Sequence, residues 1–272
     1  MNIEQARTIA KEKIEELAKE LERGQSETLK EYLAAMARFP NYSARNVLLI
    51  QAQRPFAQRV AGYGTWKRLG RVVKRNERGI VIMAPTVRRR TATPDEDAGE
   101  AVVPAADDVV LAYRPVHVWD EAQTTGAPLP RAPEVHGDPG VFLERLKAFV
   151  AEQGIRLSYL DIVAPARGVS CGGEIILLPD LAPAEAFSTL CHELAHEFLH
   201  DRAQRQDTTQ KVQETEAEAV AYVVSHAIGL DCGTASSDYL TTYRADAKTL
   251  AASLDRIQQV AGRIVSAIGP DV

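Results

Sequence analysis

The stretch Thr189-Leu190-Cys191-His192-Glu193-Leu194-Ala195-His196-Glu197-Phe198-Leu199-His200 decides how this chain is read. On a helix, His192 and His196 lie one turn apart and about 40° round the axis, so both project from one face. Two imidazoles held that way can take adjacent corners of a zinc tetrahedron. Glu193 cannot join them but reaches the remaining corner, where a carboxylate can take a proton from water acidified by the ion. Phe187, Leu190, Leu194 and Phe198 give the helix a buried side. The apolar run Glu174–Leu178 just before it reads as the edge strand along which an extended peptide would align.

The third ligand has to come from downstream. Six residues after His196, where a further histidine would complete a metzincin, the chain has Arg202. The next helix offers Glu214-Thr215-Glu216-Ala217-Glu218, of which Glu214 and Glu218 share a face while Glu216 points about 160° away from Glu218. Glu214 is assigned to the metal and Glu218 to the layer behind it, accepting the free N–H of His192 or His196. The two roles can also be exchanged. His200 is placed behind the ligands or at the surface, since a fourth protein ligand would close the position catalysis needs. Tyr239 is a candidate to polarise a substrate carbonyl, as is Tyr243. Cys191 points about 100° from His192 and reads as a buried thiol.

Upstream the character changes. Between Arg38 and Arg90 there are thirteen Lys/Arg and one acid, Glu77, in a chain whose net charge is −5. Basic residues there alternate with aromatics and amides, and Arg45, Asn46, Arg54, Trp66, Lys67, Arg71, Lys74 and Arg75 are the candidate contacts. A cationic groove with flat side chains suits sequence-tolerant binding of single-stranded nucleic acid. Affinity would come mostly from phosphate neutralisation and fall with salt.

Helical periodicity is expected over 4–22, 26–37, 43–53, 140–153, 183–202, 209–229 and 244–268, with Ser43 as an N-cap. Strands are expected at 71–74, 80–85, 109–120, 156–160 and 174–178, and a short helix or turn surrounds Trp66. The polar segment 88–108 reads as a mobile loop. The fold class is α+β, with a boundary near residue 135: an N-terminal nucleic-acid-binding domain, 1–135, and a metallopeptidase domain, 136–272. Three scattered cysteines fit a reducing compartment, and no apolar run reaches the roughly 18 residues of a membrane span. Cytoplasmic residence without a membrane partner is the expectation.

Two stretches resemble known families. Residues 42–85, with Asn46, Gln53-x-Pro55, Trp66, Gly70-Arg71 and Gly79-Ile80 through Ala84-Pro85, resemble the N-terminal single-stranded-DNA-binding domain of ArdC-type antirestriction proteins. Residues 113–130 look like that domain's closing strand. The run 189–200, with Glu214–Leu230, resembles the zincin domain that ArdC shares with the ImmA/IrrE metallopeptidases. The resemblance implies a small gluzincin-type peptidase joined to a DNA-binding module, with Glu214 as metal ligand. It departs from ImmA/IrrE where Glu-Ala-Asn is replaced by Glu216-Ala217-Glu218, and 91–108 lies outside the pattern. The expected activity is that of a DNA-associated zinc metalloendopeptidase, one Zn2+ per chain, acting on a protein or peptide. The alternative is a single-stranded-DNA-binding antirestriction protein with a structural or regulatory zinc. A third reading has a regulatory peptidase whose basic patch docks protein or RNA.

Overall fold

The computed structural model describes residues 3–23, 27–88, 109–129, 137–161, 166–200, 209–230 and 247–269. The chain is α+β and divides into two compact units, Met1–Glu16 with Asn41–Pro130, and Leu17–Pro40 with Arg131–Val272. One cut near residue 135 therefore does not describe the compact units, because Leu17–Pro40 group with the C-terminal one.

The first unit is built on α3 (Ala44–Gln53) and a sheet of β1 (Val60–Ala61), β4 (Val109–Asp120) and β3 (Ile80–Arg88), in the order β1-β4-β3. Ser43 caps α3 as its sequence suggests, accepting from the Asn46 N–H. β3 is an edge strand, and an open edge presents unpaired N–H and C=O groups. Two amides from α3, two helical turns apart, close it. Asn46 bonds both the N–H and the C=O of Met83, each at 2.9 Å. Gln53 does the same for Val81, at 3.0 and 2.8 Å. A helix thus supplies the hydrogen bonds a further strand would have made. The short helix α4 (Tyr63–Arg68) buries Trp66, whose indole N–H donates to the Trp119 carbonyl at 2.9 Å. β2 (Arg71–Val73) pairs antiparallel with β5 (Thr124–Gly126). At that crossing a Cβ on Gly126 would meet the Gly70 carbonyl at 2.3 Å, so only glycine fits.

The second unit packs α2 (Glu27–Arg38), α5 (Val141–Glu152), α6 (Pro183–Leu199), α7 (Gln210–Ala227) and α8 (Ala247–Ile268) around a small sheet. Its strands are β6 (Arg156–Tyr159), β7 (Gly168–Ser170) and β8 (Glu174–Leu177), in the order β6-β8-β7. β6 is parallel to β8, and β7 is antiparallel to it. The Glu174–Leu178 run is therefore not the edge. β8 lies in the middle, which its fully buried Ile175 and Leu177 explain, and β7 is the edge strand lying against α6. Phe187, Leu190 and Leu194 of α6 are completely buried, as the sequence pattern requires. Among the described residues no helix is long and apolar enough to cross a membrane. The 88–108 loop, apart from its first residue, and Tyr239 and Tyr243 lie outside the described residues.

Candidate metal centre

His192 and His196 project from one face of α6, their rings 4.7 Å apart and edge-to-face. Their Nε2 atoms approach to 3.1 Å. From α7, Glu214 Oε2 lies 3.4 Å from His192 Nε2 and 3.6 Å from His196 Nε2. A tetrahedral ion with bonds of 2.0–2.1 Å has ligand–ligand edges of about 3.3–3.4 Å, so the three distances match its base. Of the two acids the sequence left in contention, Glu214 is the one at this triangle. Glu218 Oε2 stands 3.4 Å from His192 Nδ1, on the far side of that ring.

A carboxylate only accepts, so the contact with Glu218 places a proton of His192 on Nδ1. Burial disfavours a charged His192, but its bonds to Glu214 and Glu218 outweigh that and push its pKa up to about 9. The same two histidines hold Glu214 well below the usual carboxylate range. The three atoms form a donor group able to hold a metal ion. A shared proton satisfies two of the three, and a divalent ion would satisfy all three.

Glu193 is buried beside this triangle. Burial raises its pKa, against the lowering pull of His192 and His196, and the backbone N–H of Ser170 on β7 donates to its carboxylate. Strand and helix approach so closely that a Cβ on Gly168 would lie 3.0 Å from Glu193 Cγ and 2.8 Å from Thr189 Cγ2. One turn on, Glu197 ties down the β7–β8 turn through Ser170 Oγ and the Gly172 and Gly173 N–H groups, at 2.5–2.8 Å. Sequence reading had missed β7, which is only three residues long and carries no alternation to betray it.

His200 is buried, with its Nδ1 3.1 Å from His196 Nδ1 and its Nε2 3.0 Å from Glu216 Oε2. Glu216 also accepts from Ser253 and Arg256 of α8. Its pKa is lowered, the three bonds outweighing a burial that acts the other way. Sequence analysis gave Glu216 no task. A signal was there: Glu216 stands on the stripe of Val220 and Val223, both buried, and an acid in such a stripe is kept only with a partner.

The candidate nucleic-acid residues divide. Asn46 and Trp66 are buried and bonded to backbone, so neither has a face to offer a base; this corrects their reading as contacts. Arg54 lies 3.6 Å from the buried Asp120, and Arg71 donates to Thr124 and Ala127. Lys74 donates to the Ala122 carbonyl at 2.9 Å. Arg45, Lys67 and Arg75 are exposed. Other aromatics are accessible, among them Phe56, Tyr113 and Tyr63; Tyr63, 54% exposed, stands T-shaped to Trp119, and the His117 ring lies tilted to the same indole at 6.3 Å.

Residues 6–117 match the family model of the N-terminal domain of anti-restriction factor ArdC. The chain is also 24% identical over 282 residues to an uncharacterised Bacillus anthracis protein, covering 86% of this chain and 46% of that one. It spans about half the length of that relative. Two crystal structures of the antirestriction ArdC protein from plasmid R388 are similar to it. The metal-free form aligns with TM-score 0.46 and 20% identity, covering 84% of this chain and 85% of that one. The Mn(II)-bound form aligns with TM-score 0.47 and 16% identity, covering 85% and 86%.

Proposed function

We propose that this ArdC-type chain is a DNA-associated zinc endopeptidase. The observation that carries the reading is the convergence of His192, His196 and Glu214 at tetrahedral spacing beside a buried Glu193. Two imidazoles and one carboxylate are the donor set of zinc hydrolase sites that keep a position open. A zinc ion bound there supplies Lewis acidity, polarising a peptide carbonyl and acidifying water. The chain's own residues do the rest. Glu193 takes the proton of the attacking water and returns it to the leaving amine, and its raised proton affinity suits both halves of that exchange. The Ser170 N–H fixes the carboxylate's direction. Glu218 holds His192 with its Nε2 lone pair turned inward.

The first unit is the proposed single-strand-binding module. Its support is the family match over residues 6–117, together with exposed Tyr63 one helical turn from exposed Lys67. Tyr63, Trp119 and His117 take the stacking role that Trp66 cannot fill.

The test is metal content and cleavage of a fluorogenic peptide library, with and without an oligothymidylate. Wild type retains one zinc per chain and cleaves. Glu193→Gln retains the zinc and loses cleavage by about 10²–10⁴-fold. Cleavage that survives this substitution refutes the mechanism. The family match favours a second reading, protection of single-stranded DNA with a non-catalytic ion. Its mark is nuclease protection unchanged in Glu193→Gln alongside no cleavage by wild type.

A further inference from the structure

Behind the donor triangle runs a buried chain of hydrogen bonds. Glu216 can only accept, so His200 Nε2, 3.0 Å away, carries its proton. With that proton on Nε2 and none on Nδ1, His200 Nδ1 accepts. The 3.1 Å contact between the two Nδ1 atoms then requires the proton of His196 to sit on Nδ1. Nε2 of His196 is left with its lone pair, and it is the atom that faces Glu214 and His192. The far end is anchored on another helix, because Ser253 and Arg256 of α8 both donate to the second oxygen of Glu216. His200, Glu216 and Ser253 are buried.

From this geometry we infer that His200 is a positioning residue, held by Glu216 and α8, that fixes His196 in the one tautomer able to bind a metal ion. The inference rests on the metal-site reading above. In the opposite arrangement Nε2 of His196 would carry a hydrogen pointing at Nε2 of His192, and the triangle would have one ligand fewer. The C-terminal helix α8, which contributes no ligand, thereby sets the affinity of the site. Arg256 is the adjustable member, since its side chain is 37% exposed while its partner carboxylate is 1% exposed.

Two measurements on the full chain test this. Imidazole 15N shifts of the metal-free protein report tautomers directly. His196 is expected with its proton on Nδ1 and His200 with its proton on Nε2; a His200 protonated on Nδ1 instead overturns the inference. Zinc affinity by chelator competition should fall about 10–100-fold in His200→Phe, the range typical of a lost partner behind a ligand. His200→Gln, which restores an acceptor, should recover most of that loss. Arg256→Gln leaves the buried members in place, so it guards against a His200→Phe chain that does not fold, and it should weaken zinc severalfold. Wild-type affinity in both Arg256→Gln and His200→Phe overturns the inference while leaving the metal site intact. A wild-type chain that takes up no zinc removes the metal site itself, and the inference with it.

Discussion

The two units use polar side chains in opposite ways. In the first, Asn46, Gln53, Trp66 and Asp120 all bond to main-chain groups: the edge of β3, the carbonyl of Trp119, and the N–H groups of Gln58, Arg59 and Ala122. In the second, His192, His196, His200, Glu214 and Glu216 bond chiefly to one another. Side chains bonded to backbone complete a fold, because the groups they satisfy exist in any protein. Side chains bonded to side chains in a buried place are the less common arrangement. Here His192, His196 and Glu214 form a donor group that could hold a metal ion. The comparison separates structural polarity from functional polarity without reference to sequence similarity.

The sharpest way to break it is at Asn46. If its role is to close the β3 edge, Asn46→Ala strands an N–H and a C=O of Met83 and costs roughly 2–4 kcal/mol of stability in that unit. The folded fraction should still bind an oligothymidylate with wild-type affinity. Urea denaturation and fluorescence anisotropy on the same preparation decide the matter. A stable Asn46→Ala chain with weakened DNA binding would reverse the assignment and blur the contrast between the units.

Much of the site was legible because its ligands sit on helices, where spacing translates directly into direction. His192, His196 and Glu193 follow from their offsets within α6, and the acid of α7 is narrowed to Glu214 or Glu218, which share a face. What stayed hidden depended on pairing across the chain. β7 has three residues and no pattern, so the edge role went to β8, the longer and more apolar neighbour. The Glu216 bridge joins residues on α6, α7 and α8, and no local period connects Glu216 to His200 or Arg256. In the first unit, composition identified a basic region rich in aromatics but could not say which ring is buried. Trp66 and Tyr63 are three residues apart on one short helix, and only packing makes one core and the other surface.

That pair gives the next test, smaller in size. Tyr63 is exposed and touches Trp119 only by its edge, so Tyr63→Ala should leave stability close to wild type. Loss of one stacking platform should weaken single-strand binding by about 1–3 kcal/mol. The slope of log affinity against log salt should stay the same, because no phosphate contact is removed. Binding that survives the loss of Tyr63 but falls with Lys67→Ala and a reduced salt slope would make the surface purely electrostatic.

Tyr32 of α2 supplies the smallest effect and a third kind of buried polar group, one whose ionisation is opposed by its surroundings. It is fully buried, and burial, with the negative charge of Asp255 adding to it, raises its pKa well above 10. The neutral phenol is the form the folded unit holds, while the unfolded chain releases the proton near pH 10. Between those two values the folded state binds one more proton than the unfolded state, so stability falls as pH rises, by about 1.4 kcal/mol per pH unit. Below pH 10 the group contributes no slope. Tyr32→Phe removes the ionisation, and the difference in unfolding free energy between the two chains should be flat up to about pH 10 and then shift steadily in favour of the variant. Parallel slopes above that pH would mean the phenol ionises as easily inside the fold as outside it. In that case burial would not govern the charge of this group in the second unit.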